Sequence, residues 1–168
     1  KNKFLKEVYN DQQEILRKID EKIKEIHQLV NSMRSIQNQL NFYINVLENH
    51  IDKKDDQNDY DKTISMAKNI EIKLKNWEKK LIQPKQKTFQ DVINFNNKLN
   101  AEYINLKDYI DSSEPEVTSG AKDLFNDLNI RSDAIMKEIN QIISEDFKSF
   151  DKHYKSLELE TLLIPIEN

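Results

Sequence analysis

The chain has 168 residues, a net charge of −4, one Gly, three Pro and no Cys, with 37% hydrophobic and 33% charged residues. So few turn residues exclude a sandwich or barrel, which needs a turn about every ten residues, and the apolar content is too high for disorder. Lys and Asp/Glu are mixed along the chain and offer no phosphate-tracking surface, so no nucleic-acid partner is expected; the lack of Cys excludes disulfides and thiolate metal sites.

The first apolar stripe steps by three and four through Leu5, Val8, Gln12, Ile15 with Leu16, Ile19, Ile23, Ile26, Val30, Met33, Ile36, Leu40, Ile44, Leu47 and Ile51. This rhythm predicts a helix over 2–49, about 70 Å long, with one face against partner helices. Asn31-Ser32, two weak helix formers in succession, marks the expected interruption. His50 to Asp59 is a polar connection, and Asn58 or Asp59 can cap a second helix over 60–82. Its stripe is Tyr60, Ile64, Ala67, Ile70, Leu74, Trp77 and Leu81. Trp77 reads as a large core residue with one N–H to satisfy.

Gln83-Pro84 closes that helix, because the residue before proline is pushed out of the α region. Thr88 and Asp91 resemble a capping box for a third helix over 88–111, lined by Val92, Phe95, Leu99, Tyr103, Leu106 and Ile110. Ser113 and Glu116, with Pro115 in the first turn, form a second such box for a fourth helix over 115–156. Its stripe is Ala121, Leu124, Leu128, Ile135, Ile139, Ile142, Phe147, Phe150 and Tyr154. Residues 157–168 carry Leu159, Leu162, Leu163, Ile164 and Ile166 with Pro165, and read as an extended apolar tail lying on the bundle or on a neighbouring domain.

Short connections make sequential helices antiparallel. The expected fold is therefore all-α: one domain over 1–156, an antiparallel up-down-up-down four-helix bundle. Its long first and fourth helices extend as a two-helix stalk of residues near 1–25 and 135–156. No apolar run approaches the roughly 20 residues of a spanning helix, so no membrane insertion is expected. The chain starts at Lys1 and not Met, which reads as a module cut from something larger, any export signal lying upstream.

Little in the sequence points to catalysis, so no enzyme activity and no cofactor are expected. His27, His50 and His153 belong to no H-E-x-x-H or Glu-x-x-His pattern and read as surface or boundary residues, His50 at the start of a loop. One Gly cannot build a phosphate loop. The Asp52–Asp61 acids lack the ligand order and central Gly of an EF-hand loop, and no metal site is assigned. The outer face of the third helix is the place to look for binding. There Gln90, Asp91, Asn94, Asn97 and Asn100 recur three to four apart and offer donors and acceptors to another domain or a sugar-like ligand. A solvated face in an Asn-rich chain explains the same pattern.

Gln90-Asp91, Asn94-Phe95 and Leu99-Asn100 resemble the Gln-Asp, Asn-aromatic and Leu-Asn pattern in the C-terminal helical region of exported sortilin-like (VPS10-type, BNR-repeat) β-propeller proteins, often labelled glycosyl hydrolases. The segment from Ile26 to Leu40, with Arg34 and Gln39-Leu40, resembles that region's preceding helix. Pro115, Thr118, Leu124 to Leu128, Asp146-Phe147 and Phe150 resemble its last. The family usually has Pro after the aromatic, where this chain has Asn96. The resemblance implies a non-catalytic structural or interaction module at the C-terminal end of an exported protein, extracellular or in the cell envelope. It would act as a spacer or a docking surface for the preceding propeller or another protein. An alternative from the residues alone is a four-helix sensory or ligand-binding domain of a membrane receptor. Self-association through the exposed apolar edge of a stalk is left open.

Overall fold

A computed structural model describes residues 2–51, 57–83, 97–112 and 116–159. Among them the chain is all-helical, with α1 at Asn2–Ile51, α2 at Gln57–Leu81, α3 at Leu99–Ser112, α4 at Ser119–Gln141 and α5 at Lys148–Ser156. A π-helical segment, Ile142–Phe147, joins α4 to α5 without a break. The helices form a bundle around one core.

The seam of α1 repeats every seven residues: Gln12, Ile19, Ile26, Met33, Leu40 and Leu47 are all buried. Pairs flank it: Ile15 with Leu16, Leu29 with Val30, Tyr43 with Ile44. A helix with apolar residues on both shoulders of its seam touches two partners along its length. On α2 the same repeat buries Tyr60, Ala67, Leu74 and Leu81, with Ile64, Ile70 and Trp77 between them. Trp77 is fully buried and donates its Nε1–H to the carbonyl of Ile135 at 3.0 Å. Each fully buried Leu or Ile of these seams contributes roughly 1.5–3 kcal/mol relative to exposure.

Cross-helix pairs set the directions. Arg34 meets Glu78 and Glu48 meets Lys68, so α2 runs antiparallel to α1. Asp20 meets Lys107, and Gln12 donates to the carbonyl of Ile110 at 2.8 Å, so α3 also runs antiparallel to α1, along its N-terminal half. Asp11 meets Lys122, Lys22 meets Asp133 and Tyr43 packs on Tyr154, so α4 and α5 run parallel to α1. These directions correct the expected up-down-up-down order with its stalk: α3 continues in the direction of α2, and α4 returns alongside α1. Residues 2–25 and 135–156 belong to opposite ends of the bundle. The antiparallel rule applies to short connections. Here Lys80 lies opposite Glu138 and Glu102 opposite Arg131, so 22 positions of chain advance only seven along α4. That surplus lets α3 keep the direction of α2 and cover the α1 seam that a stalk would expose.

Local corrections follow. α1 is continuous through Asn31-Ser32, where Ser32 Oγ bonds the Gln28 carbonyl at 3.0 Å. The residues of the first expected capping box, Thr88 and Asp91, with Val92 and Phe95, lie outside the described residues. So do residues 113–115 of the second. α4 starts instead after Thr118, which is extended at φ −62° and ψ 151° and whose hydroxyl accepts from the Ala121 N–H at 3.2 Å. Leu124 leaves the expected stripe and is 44% exposed, while Ser132, not expected there, is fully buried.

The π segment has a cause in the sequence. Positions 121, 125, 128, 132, 135, 139 and 142 alternate steps of four and three, and continuing that register would bury Asp146, Ser149, His153 and Ser156. A one-residue slip instead brings in Ile143, Phe147, Phe150, Tyr154 and Leu157, which pack on the core. The wide π turn absorbs that extra residue while the helix continues. At the far end, Glu158 takes φ 47°, and Leu159 packs back on the core. Of the expected tail, residues 160–168 lie outside the described residues.

Two outcomes test this reading. Deleting Ser144 should convert the π turn to α-helix with the same side chains buried, leaving stability equal or higher in urea titration; a loss of several kcal/mol would refute the slip. Replacing Glu158 by Gly, which adopts the left-handed conformation without the roughly 1 kcal/mol penalty of other residues, should raise stability by about 0.5–1 kcal/mol in the same assay.

Candidate functional site

The amide face expected on the third helix divides on inspection. Gln90, Asp91 and Asn94 lie outside the described residues. Asn97 is exposed, just ahead of α3. Asn100 is half-buried, and its Oδ1 is enclosed without a hydrogen-bond partner. It shares the side of α3 that carries Lys107, two turns on, which pairs with Asp20 of α1 at 2.7 Å. Asn97 and Asn100 therefore do not present one solvated surface.

His50 corrects the reading of a loop residue. It sits in the last turn of α1, buried, with Nδ1 2.7 Å from the Val46 carbonyl and its ring stacked on Tyr60 at 6.5 Å. His27 is exposed and His153 half-buried. Among the described residues no group of three or more His, Asp or Glu converges as metal ligands. In the acidic connection, residues 52–56 lie outside the described set, and Asp59 and Asp61 are exposed.

Polar side chains tie the helices to one another. Tyr103 is buried, donates from its hydroxyl to Asn129 Oδ1 at 2.9 Å and packs edge-on against Phe125. Burial pushes its phenol up to about 12, the Ser132 hydroxyl pulling the other way. Arg34 donates to Glu78 Oε1 from Nε at 3.1 Å and Nη2 at 2.6 Å, and this bond raises the Arg34 pKa against the cost of burial. Lys73 reaches both oxygens of Asp146 in the π segment at 2.7 and 2.8 Å.

The strongest candidate site is a groove of about 460 Å³ between the C-terminal half of α3 and the start of α4. Its floor and walls are apolar: Leu106, Tyr109, Ala121 and Leu124. Tyr109 is 53% and Leu124 44% exposed, more than core residues leave open. At one end Glu102 is held by Arg131 in a two-bond fork, Nη1 to Oε2 at 2.6 Å and Nη2 to Oε1 at 2.7 Å. That fork occupies the carboxylate, so the groove as built offers apolar contact and polar edges, not an acid or base aimed at a substrate. The groove is hidden in the sequence because Leu124 reads there as a core residue. Leu124 falls on the expected stripe, and only the structure shows that Ala121 and Leu128 turn inward while Leu124 stays open.

Among the described residues no helix is long and apolar enough to cross a membrane. The chain matches no protein-family model, no curated protein and no solved structure.

The fork sets a pH dependence. The hydrogen bond from Arg131 holds the Glu102 carboxyl below its ordinary range, with burial opposing. A carboxyl pKa depressed by folding contributes stability above its unfolded value, and that contribution is lost as pH falls through the folded value. Because both partners are partly exposed, Glu102→Gln should cost only about 0.5–1 kcal/mol at pH 7. In urea titrations at stepped pH, the gap from the unsubstituted chain should close below about pH 4.

Proposed function

We propose that this chain is a non-catalytic helical spacer that holds two attachment points apart and offers docking surface at its ends. The setting is the one the sequence resemblance implies, the C-terminal end of an exported β-propeller protein. Its partner would be the propeller of the same chain or another protein, outside the cell or in its envelope. The comparisons lend that setting nothing; it stands on the residue patterns alone. The observation that carries the spacer reading is the parallel register of α1 with α4 and α5. Asp11 with Lys122, Lys22 with Asp133 and Tyr43 with Tyr154 are each 111 positions apart. A constant offset means that the first and last helices travel the rod together, so the start of α1 and the end of α5 lie toward opposite poles. A rod built on the 50 residues of α1 is about 75 Å long.

That geometry favours the spacer over a receptor sensory domain. A four-helix sensory module between two membrane spans returns both ends to one pole, whereas an up-down-up rod separates them. The flanks of the rod carry cross-helix ion pairs such as Lys80 with Glu138 and Lys68 with Glu48. Exposed pairs of this kind add little energy each, but they leave a mixed, neutralised surface suited to solvent.

The separation is measurable. The chain has no Cys, so spin labels can be placed on cysteines introduced at Glu7 and Lys155, both exposed. Glu7 lies level with Thr118 by the constant offset, and the helix from there to Lys155 spans about 55 Å. Pulsed dipolar spectroscopy should return a distance near that value at dilute concentration. A distance of about 20 Å or less would put both ends at one pole and overturn the spacer reading.

A further inference from the structure

We draw no further inference here: the strongest candidate, the apolar groove of Leu106, Tyr109, Ala121 and Leu124 between α3 and α4, with Leu5 and Tyr9 of α1 exposed at the same pole, carries nothing because nothing in the structure shows what covers it.

Discussion

The whole bundle is measured against one constraint, the seven-residue seam of α1. Gln12, Ile19, Ile26, Met33, Leu40 and Leu47 place one buried side chain in every second turn for the length of the helix. A helix of this length has no tertiary reason to persist unless something covers that seam throughout. Covering it takes α2 on the C-terminal half, α3 on the N-terminal half, and α4 with α5 along the whole of the other shoulder. The slip at the π segment follows from the same demand: α5 must present Phe150 and Tyr154 to Tyr43, whatever register α4 arrived in.

The seams were legible in the sequence and the arrangement was not. Every stripe residue read from α2 is buried, as are Leu99, Tyr103, Leu106 and Ile110 of α3. A stripe tells which face a helix buries but not which neighbour buries it. A short connection would turn α3 back on α2, but the cross-helix pairs leave this one chain to spare. A better signal lay in α1 itself. Its apolar doublets, Ile15-Leu16 and Leu29-Val30, include one pair within the segment assigned to a two-helix stalk and another just beyond it. A helix with a single partner needs only one shoulder, so those doublets argue for two partners at both levels.

The departures of single residues have the same physical origin. In the sequence His50 reads as a loop residue, being polar and ahead of an acidic run. In the structure it occupies a shoulder position one heptad after Tyr43, and its apolar ring face meets Tyr60. Ser132 is small and polar but falls on the seam, fully buried beside Tyr103 of α3. The step from Ile142 to Phe150 is eight residues where a seam allows seven. That irregularity is visible in the sequence, though only the structure shows that a π turn and not a break resolves it.

The amides that looked like a binding face illustrate why polarity alone is a poor guide to function in such a chain. Asn and Lys are spread over every outer surface, so their recurrence on one helix carries little information. Unsatisfied apolar surface carries more. Along the flanks, carboxylates and ammonium groups pair across helices and the seams are closed. At the α1 pole the seam runs on past its partners, with Leu5 exposed on one side and Leu124 on the other. Burial is the main favourable term in association as in folding, so the surface left open is where a partner gains most.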